Sequence, residues 1–251
     1  FLQQYIAWLS GMLHGNMGVS YVTGEPVLET FLRKLPATLF LTASSVLLTM
    51  VISIPLGILA AVRQDKLIDF GLRFASFIGN AMPNFFVGLL LMQLFGIQLG
   101  ILPVISSGMD FQSAILPTLT LAIAMSAKYL RQVRSTVLEE LNKSYVLGAK
   151  ARGVSNRVIL WKNVMKASLL TIMTLLALSI GSLLGGTAII ESIFMWDGVG
   201  KLAVDAINMR DYPLIQAYVM WMALIYVGVN LAADLLYHHL DPRIRLGVRR
   251  K

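Results

Sequence analysis

The 251-residue chain is 57% hydrophobic and only 14% charged, has no cysteine, and has a mean hydropathy of +0.72. A soluble domain carries about 25% charged residues and a disordered chain has low hydrophobicity, so both classes are excluded. The lack of cysteine likewise excludes a disulfide-stapled module, and the chain reads as an all-α, polytopic integral membrane protein.

Residues 1–36 read as an extracytoplasmic segment. It begins at Phe1 with no charged leader, as if partway into a longer protein. Residues 37–240 read as the membrane domain. Four uncharged stretches reach the roughly 20 residues needed to cross a bilayer, and a fifth, from Phe111, is slightly short but can continue past Lys128, whose ammonium can snorkel to the interface. They predict transmembrane helices over 37–62, 76–99, 113–134, 167–190 and 213–236, with Pro83 bending the start of the second. Residues 241–251 form a basic tail.

Lysine and arginine alternate between the connecting segments. Seventeen fall on one side of the membrane and four on the other. The positive-inside rule places the seventeen in the cytoplasm, so the net charge of +8 is a topology signal and not a nucleic-acid footprint. The amino end is then outside and the carboxyl end inside, an arrangement that a missing preceding helix would explain.

The segment 135–166 is too long for a turn. Glu139 to Arg152 is rich in helix formers, and Gly153 is a natural stop because it can take the left-handed conformation. Ser155 is placed to cap a second short helix carrying Val158, Ile159, Leu160, Trp161, Val164 and Met165. Two readings fit: surface helices lying on the headgroups, or a docking element for a cytoplasmic partner.

The wording of this segment, Tyr145-Val-Leu-Gly-Ala-Lys-Ala-Arg-Gly153 followed by Lys166-Ala-Ser-Leu-Leu170, resembles the coupling loop of ABC importer permeases of the peptide/opine/nickel family. Thr171 departs from the family's usual Pro. A second stretch with Gly185, Gly186, Glu191, Phe194, Trp196, Gly198 and Gly200, then Arg210-Asp211-Tyr-Pro213, is similar to that family's outer loop, here 191–212. Asp197 replaces a usual Pro, and an Asp-Gly pair still favours a turn. Pro36-Ala-Thr38, Ile54-Pro-Leu-Gly57, Met82-Pro-Asn-Phe85 and Asp241-Pro-Arg-Ile-Arg245 also fit, so the resemblance runs from about Gly15 to Gly247.

The resemblance implies a permease subunit forming half of a translocation path. Its partners would be a second, homologous permease in a heterodimer, two ATP-binding subunits and an extracytoplasmic solute-binding protein. Tyr145, Gly148, Ala149, Ala151, Arg152 and Gly153 would couple to the ATPase; Gly185, Gly186, Glu191, Trp196, Gly198, Gly200 and Asp211 would form the outer loop or gate. The wording favours nickel or a nickel chelate as cargo, with di- or oligopeptides or opine-type metallophores as the alternative.

No GxxxxGK[ST] loop, Gly-x-Ser-x-Gly or His-Glu-x-x-His occurs, so ATP and Mg belong on partner subunits, no cofactor is expected on this chain, and it is read as no enzyme. The spans carry no mid-depth charge, which counts against an ion-coupled secondary transporter. Met82, Asn84, Asn230 and Asp234 are candidate pathway residues; Asn230 and Asp234 share a helix face, and a buried hydrogen-bonding pair between helices is expected there, with a substrate contact as the lesser reading. Met92, Met125, Met173, Met220 and Met222 are open to pathway, core and lipid readings, and His238–His239 to interfacial or metal readings. Any metal ligands stay unknown. Gly181, Gly185 and Gly186 suit close helix packing or a hinge.

Overall fold

A computed structural model describes residues 2–240, apart from 107 and 109. Predictions that fall on residues 241–251, including Asp241-Pro-Arg-Ile-Arg245, lie outside the described residues. The order is α1 (Leu2–Leu13), α2 (Val27–Val62), α3 (Leu67–Ala81), α4 (Asn84–Leu91), a π-helical turn (Met92–Gln98), α5 (Phe111–Leu141) and α6 (Ser144–Ala151). There follow α7 (Asn156–Val158), a second π-helical turn (Ile159–Val164), α8 (Met165–Ile193), α9 (Val199–Met209) and α10 (Tyr212–Leu240). Among the described residues there is no strand, only an isolated bridge between Val19 and Pro26.

The predicted spans fall inside α2, α5, α8 and α10, but the second differs. Residues 67–98 form two helices bent by 100° at Met82–Pro83, because proline cannot donate to the preceding turn and its ring excludes the helical path there. Two further departures concern the ends. The 1–36 segment contains α1, and α2 begins ten residues before its predicted span. Glu25 explains the early start: its carboxylate accepts from Thr30 Oγ1 at 3.1 Å and from Arg33 Nη2 at 2.8 Å, tying the first turns of α2. The Arg33 guanidinium, with the Thr30 hydroxyl, holds the Glu25 carboxyl below the usual carboxylate range. At about 1.5 Å per residue, the 36 residues of α2 extend about 54 Å, beyond the hydrocarbon core.

The chain divides into two compact units. One holds the residues up to Ala43, Gly88–Thr118 and Ser182–Val227; the other holds Ser44–Val87, Leu119–Gly181 and the residues from Gly228 on. In the first, Met12, Met17, Val27, Ala206, Leu214 and Ala217 form a core. Phe31 stacks on Trp221, whose indole N–H donates to Met17 Sδ at 3.0 Å. In the second, Ile58 and Ala61 of α2 pack with Tyr129, Val133 and Val137 of α5 and with Val146 and Ala149 of α6. Gly57 permits that approach, since a Cβ there would stand 2.6 Å from the Val133 Cβ.

Candidate functional site

The predicted docking helix over Glu139–Arg152 is two helices. α5 runs on to Leu141, and α6 restarts at Ser144 after the Asn142–Lys143 break. Glu140 secures this junction: its carboxylate takes the Tyr145 hydroxyl at 3.0 Å and pairs with Lys143. α6 ends as the sequence suggests. Gly153 sits at φ +78°, its N–H donates to Lys150 O at 2.9 Å, and the Val154 N–H donates to Ala149 O at 3.1 Å. This 5→2 and 6→1 pair is a Schellman motif, which needs a left-handed residue at Gly153.

The small residues of α6 do not share one surface. Ala149 is 2% exposed and packs inward with Val146, so its small size seats α6 on its own core. Ala149 is thereby corrected from a partner-facing residue to a seat for the helix. Ala151, Arg152 and Gly153 are exposed, Gly148 is half-buried, and Tyr145 and Leu147 present apolar surface outward. Ser155 takes the N-cap position of α7 in an extended conformation but makes no capping bond. The second predicted short helix is absent as a separate element. α7 passes through the π-helical turn directly into α8, because no breaker interrupts 156–165. Thr171 lies inside α8, which runs through it.

Beside this segment, Asp69 is fully buried. Its carboxylate receives Arg134 through Nε at 2.6 Å and Nη2 at 2.7 Å, and the Asp65 N–H at 3.0 Å. Such a two-point guanidinium–carboxylate contact fixes direction as well as distance. Sequence reading treated Arg134 only as a basic topology marker. Its partner is 65 positions away, which no local pattern reports.

The other unit brings together most of the predicted outer-loop residues. Glu191, at the end of α8, is fully buried. Its carboxylate accepts the Thr38 hydroxyl at 2.7 Å and the Lys201 N–H at 2.9 Å, with the Thr187 hydroxyl and Gly200 N–H also donating. The Thr38 oxygen in turn accepts the Val199 N–H at 2.9 Å. Trp196 is 1% exposed, stacks on Phe40 and donates to Ala37 O at 3.0 Å. Gly198 and Gly200 are required by contact: a Cβ at Gly200 would lie 2.6 Å from Ala188 Cα and 2.8 Å from Glu191 Oε2. Asp197 pairs with Lys34. Asp211 is also buried, but in a separate cluster, where it receives the Ser20 hydroxyl and the Tyr21 N–H. Gly185 and Gly186 lie in α8, and their surroundings are outside the described residues.

The candidate pathway residues lie on or beside α3, α4 and α10. Met82 ends α3, Asn84 is exposed at the start of α4, and Asp234 is exposed. The Asn230 Oδ1 is enclosed without a hydrogen-bond partner, so the expected buried pair between helices is not made at this atom among the described residues. Helical proximity places two residues on one face but does not bury both. Met125 and Met220 pack against the two cores, while Met173 is exposed. The side chains of His238 and His239 lie outside the described residues.

A family model described as "Binding-protein-dependent transport system inner membrane component" matches residues 53–246. The chain belongs to that family: it is a permease subunit of an ABC importer, multi-pass in the bacterial cytoplasmic membrane. In this family the ATPase is a separate subunit, and membership implies ATPase and binding-protein partners. The chain is 41% identical to the oligopeptide transport system permease protein AppB of Bacillus subtilis (strain 168), over 96% of this chain and 79% of AppB. It is 40% identical to the nickel import system permease protein NikB of Staphylococcus aureus (strain bovine RF122 / ET3-1), over 98% of this chain and 73% of NikB. Among solved structures, an inward-facing form of the MetNI methionine ABC transporter matches with a TM-score of 0.71 at 16% identity, covering 86% of this chain and 99% of that one. An amino acid ABC transporter with histidines matches at a TM-score of 0.63 and 16% identity, covering 84% and 94%. At that identity the likeness concerns the fold.

Proposed function

We propose that the chain forms half of an import path, paired with a homologous permease and driven by two ATP-binding subunits that dock on the 144–153 segment. The observation that carries this reading is the two-sided character of α6. Val146 and Ala149 anchor it to the core of its unit, while Tyr145 and Leu147 leave apolar surface uncovered at 40% and 62% exposure. Exposed apolar surface rimmed by charge marks interaction sites, and here Lys150, Arg152 and Arg157 supply the rim. Motion of such a docked helix reaches α2 and α5 through the packed core.

The proposed cargo is nickel carried as a chelate. The likeness to NikB supports the metal. Among the described residues there is no group of three His, Cys, Asp or Glu placed to hold an ion, which suits a complex that brings its own donors. The likeness to AppB favours oligopeptides as the second reading. Proteoliposomes containing the assembled transporter, with ATP inside, separate the two. Uptake of radioactive nickel is expected only when a chelator such as histidine is present, and unlabelled oligopeptides should not compete. Peptide uptake without nickel uptake would reverse the choice.

A further inference from the structure

Beside α6 the second unit holds a half-open cavity of about 330 Å³, within the range of about 300–1,000 Å³ typical of ligand pockets. Its floor is apolar, with Leu138 and Ile159, and its mouth carries Gln64, Asn142, Lys150 and Asn156. Two nearby cations are committed elsewhere, Arg134 to Asp69 and Lys143 to Glu140, and the exposed Arg152 and Arg157 do not line the cavity. Lys150 makes no ion pair among the described residues, and no acidic residue lines the cavity. One free ammonium and three carboxamides over an apolar floor form a site for an anionic group on a short apolar stem.

We propose that this cavity receives an acidic side chain, aspartate or glutamate, of the ATP-hydrolysing subunit. Docking is then reciprocal: the permease helix is inserted, and a side chain of the partner enters the permease behind it. Charge complementarity argues for the acid, since an ammonium brought into a protein interface without a counter-ion is costly to desolvate. Position argues for this partner. Lys150 belongs to α6 itself and follows the exposed Leu147 by three residues, on the same side of the helix, so a subunit seated on Leu147 reaches the lysine that lines the cavity. This inference rests on the reading that α6 docks the ATPase.

The test uses the whole transporter in nanodiscs and measures the affinity of the detached ATPase for permease variants. Lys150→Glu and the cavity-filling Asn142→Trp are each expected to weaken binding at least tenfold, while Lys150→Arg retains it. Lys162, also basic but outside the cavity lining, provides the control: Lys162→Glu should change affinity less than threefold. Equal losses for Lys162→Glu and Lys150→Glu would show diffuse charge attraction and overturn the proposal. Unchanged affinity in Lys150→Glu and Asn142→Trp would overturn it too, including the case where the cavity takes a lipid phosphate or a free anion. Leu147→Arg separates the two levels. If it abolishes binding while the cavity variants do not, α6 docking stands and the cavity proposal falls; if none of the three matters, both fall.

Discussion

The turn at 194–201 and the segment at 144–154 both connect long helices, and both contain glycines, but the glycines answer to different constraints. At Gly198 and Gly200 the constraint is contact, because a Cβ would meet Glu191 in both cases and Ala188 in the second. At Gly153 nothing lies within 4 Å of the site a Cβ would occupy, and the constraint is the backbone, held at φ +78°. The first region is completed within the chain: its indole donates to the Ala37 carbonyl, and its carboxylate and turn amides are satisfied through Thr38 and Lys201. The second leaves Leu147 uncovered and, among the described residues, Lys150 without an ion pair. A region closed on itself should fail by unfolding when mutated, whereas an open one should fail by losing its partner.

The largest effect expected from that contrast is at Glu191. Glu191→Ala leaves the Thr38 hydroxyl and the Lys201 and Gly200 amides without their acceptor in a buried site, at about 1–3 kcal/mol for each unsatisfied group. The purified variant should melt well below the parent and reach the membrane in reduced amount. Glu191→Gln keeps one acceptor oxygen and should lie between the two. A Glu191→Ala protein as stable as the parent would show that the node contributes little and that the contrast is misplaced.

Gly200→Ala is expected to be next. Its Cβ would press on Ala188 Cα, a backbone atom in a helix, so α8 and α9 must separate, at about 1–3 kcal/mol of overpacking. Thermal unfolding in the same detergent checks it. The new methyl group also crowds Glu191 Oε2, but the carboxylate stays in the site and its Oε1 keeps the Thr38 hydroxyl, so the loss should be smaller than for Glu191→Ala; a reversed order would place the energy in packing instead of in hydrogen bonds.

The two regions were also unequally legible in the sequence. The spans follow from apolar length, and Gly153 follows from the run of helix formers before it. Glu191, Gly198 and Gly200 are visible as wording, but their reason is tertiary: Thr38 lies 153 positions from Glu191. Asp69–Arg134 was missed for the same cause, since each residue alone reads as a solvated charge. α1 was missed because twelve residues are too short to span, and what holds it is long-range: Trp8 donates to Gln216 Oε1 at 3.0 Å, and Met12 enters the core with Leu214. The 100° bend was legible only as a kink, because Pro83 shows where a helix is interrupted and not how far the chain turns. The inward turn of Ala149 was hidden because small residues suit an interface and a tight core equally.

The smallest stability effect, and the sharpest test of the contrast, belongs to Gly153. In Gly153→Val the Cβ has nothing within 4 Å, so the main cost is the left-handed backbone, about 1–2 kcal/mol for a residue with a Cβ. The same molecule shows that such a cost is tolerable: Arg210 closes α9 at φ +58°, with the Asp211 N–H donating to Ala206 O at 2.8 Å. Gly153→Val should therefore reach the membrane at nearly the parent level, unlike Glu191→Ala. Valine relieves its strain by leaving the left-handed region, which breaks the Gly153–Lys150 and Val154–Ala149 bonds and redirects the exit of α6. Under the proposed docking, ATPase association or substrate-stimulated ATP hydrolysis should then fall severalfold while basal hydrolysis by the free ATPase is untouched. Gly153→Asn, which tolerates the left-handed conformation, should restore most of it. If valine leaves stimulated hydrolysis intact, the segment is a solvated connection. If asparagine fails as badly as valine, the requirement lies in the bare surface of Gly153 and not in its backbone angle.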